Sequence, residues 1–429
     1  MGKLLHYFRK TMYLPIIILF MLVTSLILVK FDVVQLFKDY FKLITSESIL
    51  TSDYVTIAGL GATLFNAATV LIFNLIIIKV LDLRLSGTMY AAIMMIFGYC
   101  FYGKNILNTI PVYLGVYLYS KINKIKFKNL ILSLLFSSGI APLVSFMIFG
   151  IPNLHLGISI PLGILFGVVA GFVVPPLASH TMKVHQGYNL FNTGFSIGII
   201  GLLFYGGLKS FGVNFDAVKT IGINTDNHLF FVLMTVGIIL IYTIMSFVCD
   251  KDVLKKLKEL NKRSGRLVSD FERDFGVDAV LLNTAIILLL ELALVLIFNI
   301  KLNGAIFGTM IAVCGFAGSG MHFRNTLPVM LGALGMTIAM KVVTGTEFVD
   351  IFTTANSGLV IAILFSLCLA PIAGRYGILL GLLAGMLHVL IVPICLTTHG
   401  GLNLYNNGFA GGFVACALIA VIEALKEER

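Results

Sequence analysis

A polar, asparagine-rich stretch occurs twice in this chain, and no other feature limits the fold as much. HQGYNLFNTGFSIG (185–198) and HGGLNLYNNGFAGG (399–412) align without gaps at a spacing of 214 residues. His185/His399, Gly187/Gly401, Asn189/Asn403, Leu190/Leu404, Asn192/Asn406, Gly194/Gly408, Phe195/Phe409 and Gly198/Gly412 are identical, and Phe191 stands against Tyr405. Each copy runs into an apolar helix. Self-similarity at a fixed spacing marks a duplication, and here the duplicated signature is polar.

The setting of the two copies is a membrane. Of the 429 residues, 59% are hydrophobic and 12% charged, which excludes an ordinary soluble domain. The formal charge of +10 could suggest nucleic acid. The Lys and Arg lie in short loops between apolar runs, however, as membrane orientation requires, and no nucleic-acid partner is expected. Six Cys without CxxC spacing read as small buried hydrophobes. About 20 apolar residues span a bilayer core. On that ruler, apolar segments fall at 12–30, 55–79, 86–102, 105–121, 129–150, 157–178, 187–208, 228–249, 278–300, 302–319, 325–344, 357–374, 376–395 and 401–424. The first reads as an uncleaved span, because no small-residue cleavage site follows it. With the N-terminus inside, 22 of the 30 Lys and Arg fall inside, which favours cytoplasmic N- and C-termini.

The duplication extends upstream. At a spacing of 217, residues 86–115 match 303–332, including Asn108/Asn325, Thr109/Thr326, Pro111/Pro328 and Gly115/Gly332. Glycines at 163, 167 and 171 match 377, 381 and 385. The chain divides into an N-terminal span and connector (1–53), a first repeat (54–208), a linking span with a basic cytoplasmic linker (209–277) and a second repeat (278–429). Each repeat has an even number of spans and one span separates them, so the repeats are inverted. The expected fold is all-α and transmembrane, with thirteen or fourteen spans in two inverted six-span repeats with broken or re-entrant helices. That design points to a transporter with a midplane site.

Three constellations carry polar chemistry. In the doubled motif, Asn189/Asn192 and Asn403/Asn406 are spaced to share a helix face if helical. They either contact a solute across the pseudo-two-fold axis or cap a broken helix. His185 and His399 are structural hydrogen-bonders or proton relays; no ligand cluster supports a metal. In the second motif, Asn108-Thr109 and Asn325-Thr326 precede Pro111 and Pro328, as helix caps ahead of a first-turn proline. Lys104 in the first copy, and His322 and Arg324 in the second, favour an anionic group or simply set orientation. Third, Glu291 lies inside an apolar run. It is a coupling candidate or the partner of a cation, with His388 one option. The segment 251–276 reads as a solvated helical linker that sets orientation or meets anionic lipid.

No catalytic or nucleotide-binding signature is present, so neither an enzyme nor a cofactor is expected. The doubled H-x-G-x-N-L-[FY]-N-x-G-F and NT-[IL]-PV-x-LG motifs resemble an uncharacterised bacterial family of multi-pass membrane proteins, a domain of unknown function. The resemblance covers nearly the whole chain and implies the bacterial inner membrane. The L-[FY]-N-x-G segment also looks like the G-[FY]-N-G segment of urea transporters, although here it opens the last span of each half. The sequence thus leads to a secondary transporter of a small polar, in one reading anionic, solute, coupled to H⁺ or Na⁺. An uncoupled urea-like channel is the alternative, and an intramembrane enzyme or scaffold is less favoured. Lipid is a partner, and a homo-oligomer is compatible with the sequence.

Overall fold

The computed structural model describes residues 9, 11–215, 220–222, 224–347 and 350–427. Among these the chain is helical throughout. The helices are α1 (Leu14–Leu28), α2 (Val33–Ile44), α3 (Tyr54–Val80), α4 (Gly87–Tyr99), α5 (Ile106–Ile122), the broken α6 (Phe127–Gly150), α7 (Leu156–Val184), α8 (Asn192–Ser210) and α9 (His228–Cys249). There follow α10 (Val253–Leu260), α11 (Phe271–Phe275), α12 (Val277–Ile297), α13 (Gly304–Gly318), α14 (Phe323–Val343), the broken α15 (Thr354–Tyr376), α16 (Ile378–Thr397) and α17 (Asn406–Glu427). Nine of the described helices are long and apolar enough to cross a membrane; α4 and α13 are apolar but short. Each of the fourteen segments read from the hydropathy overlaps a described helix, but those of α1, α4, α5, α8 and α13 are not among the nine long and apolar enough to cross by themselves.

The halves correspond helix by helix, α3–α8 with α12–α17. Between hydrocarbon-exposed helices the hydrophobic effect gives little, so close backbone approach must hold the bundle together. The glycine ladder supplies it. A methyl group on Gly171 would lie 2.0 Å from Val112 O, and one on Gly385 would lie 2.0 Å from Val329 O. These are equivalent contacts, α5 on α7 and α14 on α16. The equivalent short helices α4 and α13 pack on each other antiparallel: Gly87 sits against Gly318, and Gly98 against Gly308. Equivalent elements therefore run in opposite directions, as inverted repeats require.

The correspondence continues upstream of residues 54 and 278. Asp53 caps α3, accepting from Val55 N–H at 2.9 Å, and sits 2.7 Å from where a methyl on Gly304 would be. Its equivalent Asp270 accepts from Gly87 N–H at 3.0 Å. Each repeat's leading strap thus reaches the start of the other repeat's short helix. The linker expected to be helical is helical only in α10 and α11; residues 261–270 form this strap instead.

The loops gather at two ends. At one end the strap collects Arg84 (bound to Glu272), Gln186 (whose carbonyl accepts from Arg266 Nε at 2.6 Å) and His322. Gln186 in turn donates to Glu423 at 2.7 Å, and Arg9 pairs with Asp278. At the other end Leu50 N–H donates to Gly401 O (2.9 Å), Thr220 N–H to Thr51 O (3.1 Å) and Leu302 N–H to His228 Nδ1 (3.0 Å). The segments that helix parity assigns to one side are those that gather at the linker end. Between α1 and α2 the chain bends by 111°. Asp32 caps α2, which buries Leu36 and Leu43 and exposes Val34, Phe37 and Phe41. That division suits a helix lying along an interface.

Candidate functional site

The doubled motif is not helical where it enters the bundle. α7 ends at Val184 and α8 starts at Asn192; α16 ends at Thr397 and α17 starts at Asn406. Asn189 and Asn403 therefore lie outside the helices and do not share a helix face with Asn192 and Asn406, contrary to the expectation from their spacing. Gly187 and Gly401 explain it. Both have φ near +80°, which glycine adopts without steric cost, and the chain turns back inward there before helix resumes. The returning segments dock on the midpoints of the broken helices. Leu404 N–H donates to Gly139 O and Leu190 N–H to Cys368 O, each at 2.9 Å. Gly139 lies near the middle of the 24-residue α6, so the motifs reach middle depth.

At that depth the halves touch through equivalent residues. A methyl on Gly194 would lie 3.1 Å from Gly408 Cα, and one on Gly408 3.0 Å from Gly194 Cα. A contact between equivalents lies on the axis relating the repeats. The packing around it is reciprocal, with Phe409 against Gly198 and Phe195 against Gly412. Glycines meet on the axis, and among the described residues no hydrogen bond joins the asparagines of one motif to those of the other.

The asparagines bond to the protein, except that Asn403 Nδ2 is buried without a hydrogen-bond partner among the described residues. Asn192 Oδ1 is 2.8 Å from His185 Nε2 and 2.9 Å from Thr181 Oγ1, and its Nδ2 donates to Ala178 O at 2.9 Å. Asn406, its nitrogen turned to His399 Nδ1 (3.0 Å), also donates to Cys395 O at 2.9 Å. Both therefore hold the returning chain against the helix it has just left. Asn189 Nδ2 donates to Gly408 O (2.9 Å) and Asn403 Oδ1 accepts from Tyr405 N–H (2.8 Å). His399 Nε2 donates to Gly198 O at 2.8 Å, tying one half to the other. A buried carboxamide or imidazole needs such partners.

The hairpin tips between α4 and α5 and between α13 and α14 are also mirrored. Asn105 N–H donates to Asn108 Oδ1 and Asn108 N–H to Asn105 Oδ1, both at 3.0 Å. In the second tip His322 N–H donates to Asn325 Oδ1 at 2.9 Å. Thr109 Oγ1 donates to Asn105 O (2.7 Å) and Thr326 Oγ1 to His322 O (2.9 Å). The N-caps are thus Asn105 and His322. Asn108-Thr109 and Asn325-Thr326 sit inside the first turn, and Pro111 and Pro328 fall in the second turn rather than the first, because the reciprocal cap closes before the proline is reached. Asn66 and Asn283 had escaped the sequence reading. Asn66 Nδ2 donates to Cys100 O and Lys104 O (both 2.9 Å), and Asn283 Nδ2 to Ala317 O (2.9 Å) and Met321 O (2.8 Å). They satisfy the carbonyls freed at each tip. Extending the 217-residue alignment upstream, LFNAA against LLNTA, exposes them.

The cations separate. Lys104 is fully buried; its Nζ donates to Ser138 Oγ at 2.7 Å and lies 5.7 Å from the ring centroids of Tyr99 and Tyr405. His322 donates through Nε2 to Arg263 O of the strap (2.7 Å), and Arg324 is exposed. Glu291 is fully buried on α12, and neither of its oxygens has a hydrogen-bond partner among the described residues. His388 is 3.2 Å from Asn407 Oδ1 instead, so the Glu291–His388 pair does not form. Among the described residues no group of three His, Cys, Asp or Glu is arranged to hold a metal.

A cavity of about 400 Å³ runs from Leu267 and Val268 of the strap to Gly194 and Tyr405 at the axis. Its wall is largely Met, Leu and Phe, interrupted by the hydroxyls of Thr88, Ser133, Ser179, Thr193 and Ser319 and by Asn192. Three wall residues form an aromatic cluster: the Phe191 and Phe316 centroids are 4.6 Å apart, and those of Phe136 and Phe316 6.1 Å. Their equivalents across the axis are Tyr405, Tyr99 and, because FSSGIAP (136–142) matches FSLCLAP (365–371) at a spacing of 229, Phe365, with Tyr99–Tyr405 at 5.2 Å and Tyr99–Phe365 at 5.9 Å. That side is packed, and Tyr99 Oη donates to Leu404 O at 2.7 Å. The repeats share one plan, but the cavity runs along all of one aromatic cluster and meets the other only at Tyr405.

A sequence-family profile described as "Protein of unknown function (DUF1576)" matches residues 33–210 and again 249–424. Each match includes the leading strap as well as the six helices that follow. No curated protein and no solved structure matches the chain.

Proposed function

The chain belongs to the family described as Protein of unknown function (DUF1576), whose description assigns no activity, and on that footing we propose that it is a secondary transporter of a small polar solute. The solute occupies the inter-repeat cavity and crosses by alternating access in a cell membrane, the bacterial inner membrane. The single observation that carries this is the inequality of equivalent places: Phe136, Phe191 and Phe316 all border the cavity, while of their equivalents Phe365, Tyr405 and Tyr99 only Tyr405 reaches it. Inverted repeats exchange conformations when a transporter turns over, so one captured state is open beside one repeat only. The basic linker end is taken as cytoplasmic because most Lys and Arg lie there; this state then faces inward.

Glu291 is the coupling group in this reading. A buried carboxylate without partners is strongly disfavoured as the anion, so the group rests protonated and ionises only when the bundle rearranges. A Na⁺ site would need several oxygen ligands around the carboxylate, and neither Glu291 oxygen has a polar partner among the described residues. Protons are therefore the favoured coupling ion.

The test is flux. Purified protein in proteoliposomes is offered neutral, cationic and anionic solutes under an imposed pH gradient. Saturable uptake, with counterflow against unlabelled solute inside, supports the transporter. Flux that neither saturates nor exchanges replaces it with an uncoupled channel. No flux for any class of solute contradicts both.

A further inference from the structure

We propose that Lys104 recognises the negative charge of the solute, and that the solute is an organic monoanion, a carboxylate with a small apolar body. This rests on the transporter reading and narrows its substrate.

The ammonium lies at middle depth. Its acceptor Ser138 is halfway along α6, next to the Gly139 carbonyl that receives the second motif. Lys104 is fully buried, and no ion pair among the described residues includes it. One hydroxyl and two aromatic faces satisfy an ammonium incompletely, so the same burial that keeps Glu291 protonated disfavours the charged amine until an anion arrives beside it, and a membrane-interior Lys without a counter-ion marks a functional site by default. The fold does not require it. The equivalent residue in the second repeat is Met321, also fully buried, at the tip held by the equivalent asparagine. The charge is therefore an addition to a frame that works with a thioether.

Tyr405 connects this cation to the cavity. Its side chain borders the cavity, the Lys104 ammonium lies over its ring, and its hydroxyl is buried without a hydrogen-bond partner among the described residues. Phe191 occupies the equivalent place and has no hydroxyl to offer. An ammonium without a counter-ion and an unpaired phenol form a donor set for one carboxylate, while Ser138, whose own proton goes to Leu135 O at 2.7 Å, holds the ammonium in place. The rest of the cavity asks for different chemistry: Met95, Leu190 and Phe316 are apolar wall, and the volume of about 400 Å³ suits a small organic molecule. One buried cation matches one negative charge. For the carboxylate to reach Lys104 the Tyr405 side chain must turn aside, which makes Tyr405 both gate and ligand.

The experiment compares acetate, butyrate and benzoate with acetamide, butyramide and benzamide in proteoliposomes. It uses the native chain, Lys104→Met, Lys104→Arg and Tyr405→Phe. Lys104→Met installs the side chain the other repeat already buries, so the melting temperature should stay near native, and this is measured alongside. The native chain should prefer at least one carboxylate over its amide by about tenfold or more. Lys104→Met should abolish that preference, Lys104→Arg should keep part of it, and Tyr405→Phe should weaken it several-fold. Equal uptake of acid and amide by the native chain, or a preference that survives Lys104→Met in folded protein, overturns the inference and leaves the transporter reading standing. If no solute of any charge is taken up, the transporter reading fails and this inference falls with it.

Discussion

Asn192 is bonded on every side, to His185, Thr181 and Ala178, and that decides what its loss should do. Asn192→Ala leaves those buried groups short of a partner, at a cost of about 1–3 kcal/mol. The expected outcome is a lower melting temperature with an unchanged apparent KM for the solute, measured by calorimetry and flux on one preparation. A changed KM at an unchanged melting temperature would make Asn192, which borders the cavity, a solute contact. Glu291 is the opposite case, since its carboxyl has no polar partner to lose among the described residues. Glu291→Gln should fold normally, exchange solute by counterflow and fail to concentrate it against a gradient. Accumulation driven by a pH gradient in this variant would remove Glu291 from coupling.

At the scale of the element, the helix pairs α5–α7 and α14–α16 depend on absent side chains. A methyl on Gly115 would lie 2.1 Å from Val168 O, and one on Gly332 2.0 Å from Leu382 O. Backbone atoms cannot retreat cheaply, so Gly115→Ala and Gly332→Ala should each destabilise by about 1–3 kcal/mol. Gly335→Ala, on the same helix as Gly332, meets nothing within 4 Å and should leave the melting temperature near native. Equal effects at Gly332 and Gly335 would contradict the close-packing account. The sequence made these elements legible because duplication shows itself as matched glycines, prolines and asparagines at fixed spacing. It did not disclose where the helices start. Asn189 and Asn192 have helical spacing, but a positive φ at Gly187 and the bond from Leu190 to Cys368 O keep the chain out of helix until Asn192. Those are tertiary facts that no local pattern carries. The partner of His388 eluded the sequence for the same reason: Asn407 is brought to it by the packing of α16 on α17.

For the whole molecule, counting spans gives the inversion, and the antiparallel contact of α4 with α13 agrees with it. What the sequence could not supply is the difference between the halves. Residues 136, 191 and 316 and residues 365, 405 and 99 are matched positions, yet all three of the first set border the cavity and of the second only Tyr405 does. In the transporter reading the asymmetry reflects a conformational state as well as composition, and a state is visible only in the tertiary structure. The duplication also leaves room for unequal chemistry, with Lys104 against Met321, Tyr405 against Phe191 and Tyr99 against Phe316, so that one frame carries one polar pocket. If the frame exchanges states during transport, matched positions must exchange exposure.

The most direct measurement uses Ser133, in the cavity wall, and its equivalent Ala362, fully packed on the other side. Each is made a single cysteine in a chain with the six native cysteines replaced, reconstituted and exposed to a membrane-impermeant maleimide from one side at a time. The account predicts that Ser133→Cys reacts only from the linker side. It predicts that Ala362→Cys is inert at rest and becomes reactive only from the opposite side when solute and a gradient drive turnover. Reaction of both cysteines from the same side, or of either one from both sides, would contradict alternating access between the repeats.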